Sequence, residues 1–380
     1  MHTTTTTTVE LPAAQLKKHA TRLARSTMRG RGSYGVAAAT WVRIDVDGAT
    51  VRHTTTDLDV WQELELEHAV AYIDQPTSWV VPFKAWRDAL KSAKGRGATI
   101  AYRPGAGILD VLSSSGATTT LQLENLADWP RRPDVTGGPA GDVDASAMLD
   151  VLPAASSDAN RPVLCSVNVT ADGTYAATDS YRLHAYTAPI PAGIDVTIPA
   201  DLVDLVGRAG ATGQIGYRSS TDGRYLELEL PDGTAVGRTL EQAFPDFEKL
   251  FPVLEDLDYR IKLEDGTAAA AVLRETAPQL DELPARLELE PTSTMGDDLD
   301  AGRRVGIYNE NASTGVTVRR MLPGARHAYP LGLELPAFNA AYLADLVDLE
   351  GPVTIAYATA LKPAAVYVGR RRRLVMPVRV

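Results

Sequence analysis

Two clusters of basic side chains are the residues in this chain best suited to do chemistry. Between Ala13 and Arg31 stand Lys17, Lys18, Arg22, Arg25, Arg29 and Arg31 without one acid, a charge of +6. Between Pro82 and Arg96, the bases Lys84, Arg87, Lys91, Lys94 and Arg96 outweigh Asp88 by 4 charges. Cations at this density attract polyanions, above all phosphate. Other chemistries leave weaker traces. Gly30, Gly32 and Gly35 spell G-x-G-x-x-G. A dinucleotide site needs a strand before that motif and a helix after it, and here a basic helical stretch precedes it. The 6 histidines lack metal-ligand spacing. No G-x-S-x-G, P-loop or His-Glu-x-x-His motif occurs. Cys165 is the sole cysteine, which excludes an intramolecular disulfide and Cys-based zinc sites. The run Arg370 to Arg373 precedes an apolar terminal strand and reads as a hairpin tip, and the acids Asp297, Asp298 and Asp300 read as a solvated loop. No cofactor is expected.

Both basic clusters sit on stretches with a helical apolar stripe. Leu16, Ala20 and Leu23 recur at i, i+4 and i+7, and Phe83, Trp86 and Leu90 do the same. The 380 residues carry a formal charge of -10. Taken whole, that acidity argues against a nucleic-acid binder. Resolved along the chain, +10 lies on two short helices and -20 on everything else. A hydrophobic fraction of 44% and a charged fraction of 23% are ordinary for a folded protein, and the length suggests two or three domains. There is no apolar run of about 18 residues that would cross a membrane. The opening MHTTTTTTVEL lacks the pattern of a signal peptide. A cytoplasmic location is expected.

The chain repeats. Val81-Pro82, Ile198-Pro199 and Leu335-Pro336 each precede an apolar-periodic stretch, as proline at the first helical turn should. Each stretch is followed by a strand-like segment ending at Tyr102, Tyr217 or Tyr357. The prolines are 117 and 137 residues apart, the spacing of whole domains. Thr56-Asp57 recurs as Thr178-Asp179, with Asn309-Glu310 a weaker third match. Helical stretches open each repeat, over 13–25, 145–152 and 267–276. Asp-Gly turns at Asp47-Gly48, Asp172-Gly173, Asp222-Gly223 and Asp232-Gly233 punctuate period-2 strands. The expected fold class is α+β, with three similar domains over 1–134, 135–255 and 256–380. Each has two helices and several antiparallel strands.

With these repeats in register, the motifs resemble those of the beta sliding clamps of bacterial DNA polymerase III. Thr178-Asp179-Ser180-Tyr181-Arg182-Leu183 stands where that family has T-D-G-H-R-L. The stretch Ala243 to Pro252 stands for R-F-P-D-Y-R-R-V-L-P, and Leu374-Val375-Met376-Pro377-Val378-Arg379-Val380 for V-V-M-P-M-R-L. LENLADWPRRPD matches the end of the family's first domain, and Thr56-Asp57-Leu58-Asp59 its T-D-L-E. The resemblance runs end to end. It implies the DNA-clamp fold, with helices lining a central hole and antiparallel sheets outside, closed as a head-to-tail ring of two chains around duplex DNA. Such a ring performs no covalent chemistry. It tethers the replicative polymerase, clamp loader and other motif-bearing partners.

The resemblance carries roles onto particular residues. A partner-peptide pocket would be built from Leu164, Thr178, Tyr181, Leu183, Pro245, Leu250, Leu374, Met376, Pro377 and Val378, with Arg182, Lys249 and Arg379 at its rim. Ser180, Tyr181, Lys249 and Val378 replace the family's Gly, His, Arg and Met, which bears on peptide preference. DNA contacts would come from Lys17, Lys18, Arg22, Arg25, Arg29, Arg31, Lys84, Arg87, Lys91 and Lys94. Arg161 and Arg208 are the only bases expected to contribute from the second domain, whose helices are neutral to acidic. Ring closure would pair Leu121 and Leu123 on a strand with Val272 and Leu273 on a helix. A diverged paralogue of plasmid or phage type, recruiting other partners, is the alternative, and a hydrolase with an unrecognised site is a remote one.

Overall fold

The Asp-Gly turns and period-2 segments build sheets whose described strand registers are antiparallel. The computed structural model describes residues 7–12, 37–66, 70–72, 76–92, 97–280, 283–289, 303–311, 316–327 and 335–379. Two compact units emerge, Met1–Ser146 with Ala192–Glu241, and Ala147–Pro191 with Gln242–Val380.

The first unit contains β1 (Thr7–Pro12), β2 (Trp41–Asp47), β3 (Thr50–Thr56), β4 (Val60–Leu66), β5 (Val70–Tyr72), β6 (Thr77–Pro82), α1 (Phe83–Ser92), β7 (Gly97–Arg103), β8 (Ile108–Ser113), β9 (Thr118–Gln122) and β10 (Gly137–Asp144). Helix α2 (Ala145–Val151) runs across the division, leading to β11 (Ser166–Val169), β12 (Thr174–Thr178) and β13 (Arg182–Thr187) of the second unit. The chain then returns to the first unit for β14 (Val196–Pro199), α3 (Ala200–Ala209), β15 (Gln214–Ser220), β16 (Tyr225–Leu230) and β17 (Gly233–Arg238). The second unit ends with β18 (Tyr259–Leu263), α4 (Gly266–Leu280), β19 (Ala285–Leu289), β20 (Arg303–Asn311), β21 (Val316–His327), β22 (Ala337–Phe338), α5 (Ala340–Val347), β23 (Val353–Tyr357), β24 (Ala364–Val368) and β25 (Arg371–Val375).

In the first unit one sheet runs β5-β1-β7-β8-β9 and another β10-β15-β16-β17-β4-β3-β2-β6. Trp86, Phe83, Ala89 and Leu90 of α1 fill the core between them with Ile44, Val81, Ile100, Leu109 and Leu121. The second sheet is continuous because β4 pairs with β17, residue for residue from Leu64 opposite Gly233 to Val60 opposite Gly237. Its outward acids are not a bare negative face. Arg52 binds Glu65 at 2.6 Å, and Arg132 bridges Glu63 at 3.1 Å and Glu227. In the second unit the strands run β11-β12-β13-β25-β24-β23-β18-β21-β20-β19-β22. Helices α4 and α5 close one apolar core there through Leu273, Leu343, Leu346 and Val347.

The helix starts differ from the proline expectation. Pro82 and Pro199 are the last residues of β6 and β14, so α1 and α3 begin one residue later. Pro199 sits at φ -53°, ψ 139°, extended and just outside its helix. Pro336 precedes the short β22. The third helix waits for Asn339, whose Oδ1 accepts from Ala341 N and Tyr342 N at 3.0 and 3.1 Å. A side-chain cap satisfies amides that a proline can only omit. Helix α4 runs to Leu280, past the expected end at residue 276 and with Pro278 in its last turn.

The Thr-Asp marker is a repeated turn. Thr56 Oγ1 donates to Val60 O at 2.8 Å and accepts from Leu58 N at 2.9 Å, while Asp57 Oδ1 accepts from Asp59 N and Val60 N. Thr178 Oγ1 donates to Arg182 O at 2.6 Å and accepts from Ser180 N at 3.1 Å. Asp179 Oδ1 accepts from Tyr181 N and Arg182 N. Both turns force their third residue left-handed, Leu58 at φ 84° and Ser180 at φ 81°. Asn309-Glu310 forms no such turn; both residues lie inside β20, opposite Val318 and Thr317 of β21. A left-handed conformation costs a side-chain-bearing residue about 1–2 kcal/mol, partly offset by the greater unfolded freedom of glycine. Ser180→Gly should therefore raise stability by about 0.5–1 kcal/mol in urea titration.

Candidate functional site

The second of these turns launches β13, and β13 lies against β25 with Leu183 opposite Leu374 and Arg182 opposite Val375. Leu183 and Leu374 are buried and cluster with Ala176, Ala185 and Phe247, flanked by Phe244 and Phe251. Phe247 enters from the F-P-D-F stretch. There a 3-10 turn, Glu248–Leu250, is closed by Leu250 N donating to Phe247 O at 3.0 Å. Within four residues of that floor stand four exposed apolar side chains: Tyr181 (59%), Leu250 (52%), Met376 (41%) and Val378 (38%). Met376 N donates to Tyr181 O at 2.8 Å, joining two of them through the backbone. Single exposed apolar residues are normal, whereas a group around an apolar floor marks a binding surface.

The other expected pocket residues take supporting places. Thr178 is buried as the former of the turn. Leu164 is buried in the 3-10 turn Pro162–Leu164, its carbonyl accepting from Ser156 N. Pro245 and Arg379 are exposed and Pro377 is half-buried. Val378 N donates to Ala337 O at 2.7 Å, fixing the C-terminal segment to β22. Lys249 is exposed and pairs with Asp246, which holds its ammonium group above the usual lysine range.

Arg182 is built in rather than reaching out. It donates to Asp179 Oδ2 at 3.0 Å and to Asp345, and its guanidinium lies 4.4 Å from the centre of the Tyr342 ring. Tyr342 in turn stacks with Tyr181, centroids 6.5 Å apart. Burial, and then the neighbouring Asp179 carboxylate, push the Tyr342 phenol up, so it stays neutral. With two carboxylates on one guanidinium, Arg182 presents no free positive charge, and the exposed surface around this floor is apolar and aromatic. Tyr342, Asp345 and Phe247 belong to the site without having been singled out in the sequence. Phe247 carried the one available clue, its place in a quoted motif. The arginine run is absorbed too: Arg371 pairs with Asp150, Arg372 forks onto Glu248, and Arg373 donates to Asp345 O, Asp348 O and Asp150.

Behind the floor, His184 is fully buried opposite Arg373. Burial first, then Arg373 and Arg182, hold its imidazole well below the ordinary 6.5. The unfolded chain takes up a proton near that ordinary value and the folded chain does not. Stability is therefore complete above it and falls as pH drops below it. From pH 7.5 to 5.5 this histidine alone should cost on the order of 1 kcal/mol of unfolding free energy. Buried His327, also shifted down by burial, adds to the slope with the same sign. Urea titrations at the two pH values, repeated with His184→Gln, isolate the contribution.

Of the expected DNA contacts, Lys84 and Lys91 are exposed on α1, and Arg87 is half-buried, bonded to Asp88 at 3.0 Å. Lys17, Lys18, Arg22, Arg25, Arg29, Arg31 and Lys94 lie outside the described residues, as do the expected first helix and Gly30, Gly32 and Gly35. Arg161 and Arg208 are tied to Asp158 and Asp204. Leu121 and Leu273 are buried in the core of their own unit, with Leu123 and Val272 packed partly against the same cores. Among the described residues no group of His, Cys, Asp and Glu is arranged to hold a metal ion, and no helix is long and apolar enough to cross a membrane.

This architecture is that of the bacterial DNA sliding clamps. No family model matches the chain. Its fold superposes on the DNA polymerase sliding clamp of Bacillus subtilis with a TM-score of 0.79, at 17% identity, covering 98% of this chain and 99% of that one. The DNA polymerase III beta chain of Streptococcus pneumoniae gives 0.80 at 16% identity over 99% and 100%. The clamp of Bartonella birtlesii, solved bound to griselimycin, gives 0.78 at 18% over 99% and 100%. In sequence the chain is similar to the beta sliding clamp of Streptomyces coelicolor, 27% identical over 271 residues, 66% of each chain. It is 32% identical over 149 residues to the beta sliding clamp homolog GriR of Streptomyces muensis, 37% of this chain and 40% of that one. The aligned stretches thus span less than two thirds of either relative, and the chain has the DNA polymerase III beta clamp fold from end to end.

Proposed function

We propose that this protein is a DNA sliding clamp, a ring of two chains that encircles duplex DNA and tethers a replicative polymerase and other partners in the cytoplasm. It makes and breaks no covalent bond. The observation that carries the reading is the pairing rule of the repeats. In the first unit β4, which follows the Thr56-Asp57 turn, pairs with β17, the last strand of the second repeat. In the second unit β13, which follows the Thr178-Asp179 turn, pairs with β25, the last strand of the third repeat. The third strand of this kind is β21, at the end of the β19-β20-β21 meander. Among the described residues its Val316–Met321 stretch pairs only with β20. By the same rule it needs the last strand of a first repeat, β9, which pairs only with β8. A second copy supplies it, and the two chains close on each other. Strand edges of this kind are otherwise an aggregation hazard.

The same rule supports a three-domain division into 1–134, 135–255 and 256–380, with partly buried Leu123 and Val272 flanking this closure. The apolar site around Leu183 and Leu374 receives a short linear segment of each partner, whose aliphatic or aromatic side chains cover Tyr181, Leu250, Met376 and Val378. The diverged-paralogue reading is favoured by Ser180 and Tyr181, which alter the mouth of that site, and by the partial similarity to GriR. Loading by a cognate clamp loader onto nicked circular DNA tests the function. A ring stays on the circle and runs off once the DNA is linearised.

A further inference from the structure

We propose that Val253, Leu254 and Leu361, edged by Glu255, Asp256 and Asp258, form a second docking surface, which takes a basic flank of the same partner segment that fills the site at Leu183 and Leu374. The proposal rests on that reading of the site. The surface is laid down by strand registers. Leu183 of β13 stands opposite Leu374 of β25, Leu374 opposite Ala365 of β24, and Ala365 opposite Ala356 of β23. Residues paired across a sheet share one face, so one row runs from the floor of the site to Ala356. At about 4.8 Å between strands the row is about 14 Å long, a span that about five extended residues cross at about 3.3 Å each.

The segment from Phe251 to Leu257 lies over this row. Phe251 packs on the cluster of Leu183 and Leu374, and its ring meets that of Tyr367 edge to face, centroids 6.3 Å apart. Leu257 is buried against Ala356 and Ala365, with Ala358 and Tyr367 beside it. Tyr367 OH donates to Pro252 O, which ties the segment to β24. Val253 and Leu254 follow that tie and are left exposed. Val253 and Leu361, each 60% exposed, are the barest large apolar side chains among the described residues. Leu361 stands in the loop between β23 and β24, just beyond Ala358, which packs on the same cluster. Glu255, Asp256 and Asp258 are exposed beside Val253 and Leu254, and no ion pair engages them among the described residues. Arg260 directs its guanidinium to the carbonyls of Leu254 and Leu257, and Arg372 forks onto Glu248. Lys362 is the one base in the loop of Leu361. Exposed apolar side chains edged by unpaired carboxylates fit a segment that carries Lys or Arg between apolar residues. A short spacer reaches from the first site, so the second contact forms at high effective concentration.

The test is isothermal titration of the full chain with a polymerase-tail peptide and with two longer forms that add K-L-K-K-L-K to one end or the other. One longer form should bind about tenfold more tightly than the tail alone. That gain should shrink as salt rises from about 50 to about 200 mM, because exposed charges are screened. Glu255→Lys with Asp256→Lys should remove the gain and leave affinity for the tail alone within about twofold. Val253→Ser with Leu254→Ser should reduce the gain about threefold, with Tm as the control for folding in both variants. A gain under about twofold with either longer form, or a gain that charge reversal leaves unchanged, overturns the proposal, while the first site stands on the binding of the tail alone. A tail that does not bind at all removes the first site and the proposal with it.

Discussion

Gly233→Val should destabilise the first unit by more than about 3 kcal/mol, the largest effect expected of any single substitution outside the cores. Gly233 opens β17 at φ 149°, a conformation that L side chains rarely adopt, directly opposite Leu64 of β4. A Cβ built there would lie 2.1 Å from the carbonyl oxygen of Glu63 and 2.9 Å from its carbon. Both are backbone atoms of the partner strand, so no side-chain rotation relieves the clash. The strands must part or β17 must slip, and a slip of one residue turns its buried Ala235 outward. The effect reaches beyond one turn, because among the described residues the β4–β17 pairing is what joins the two halves of the eight-stranded sheet of the first unit. Thermal unfolding followed by circular dichroism should show a fall in Tm of about six degrees or more, on the order of 2–4 °C per kcal/mol for a unit of this size. Gly233→Ala should fail in the same direction, since the clash begins at Cβ. A Tm within two degrees of the unaltered protein would show that this seam does not hold the sheet.

Leu250→Ala with Met376→Ala should abolish partner binding while leaving the fold intact. Both side chains are about half exposed, so their removal opens no cavity and costs the folded chain little. In a complex the same two side chains are the ones a bound segment would cover. Anchors of this kind each contribute about 1–2 kcal/mol or more, which together makes a loss on the order of 100-fold in affinity. Isothermal titration with a polymerase-tail peptide measures it, with Tm as the control for folding. Leu183→Ala or Leu374→Ala would confuse the two effects, because those residues are the floor of the site and part of the core at once. Unchanged peptide affinity in the double variant would move the binding site elsewhere.

Much of this was legible in the sequence because the repeat is written locally. Proline, apolar stripe and terminal tyrosine recur at domain spacing, and the structure places Tyr102, Tyr217 and Tyr357 on β7, β15 and β23. The Thr178-Asp179 marker was legible as a recurring pair, and the turn it forms is local, with hydrogen bonds between residues two to four apart. What escaped is what only long-range pairing creates. Asn309 resembles the marker in composition, but it lies in a strand, where its side chain serves Pro284. Tyr342 and Asp345 carry no motif. They enter the site because α5 meets Arg182 across 160 residues of chain or more. Of the four arginines expected at a hairpin tip, only Arg370 lies in the turn, beside Gly369 at φ 58°; Arg371, Arg372 and Arg373 are the first residues of β25. Their ion pairs with Asp150 and Glu248, more than 120 residues away, could not be foreseen from spacing. Leu121 and Leu273 were expected to meet a second chain, yet each is buried in its own core. A strand edge offers a partner its backbone, and side-chain type says little about that.

The same contrast governs charge. A net -10 suggested a protein that avoids DNA. In the structure several acids are engaged, Glu63 and Glu227 with Arg132, and Asp345 with Arg182, while Lys84 and Lys91 stand exposed on α1. Local placement decides what a phosphate meets, and the sum over the chain does not.

The clamp reading stands or falls on topology, and one measurement addresses it directly. The protein is loaded by a cognate clamp loader onto nicked circular duplex, freed of unbound protein by gel filtration, and divided. Half is linearised with a restriction enzyme before a second filtration. A ring that grips phosphate loosely should stay with the circle and leave the linear DNA almost completely. Equal retention on both forms would mean that the protein binds the duplex surface, and would contradict the account.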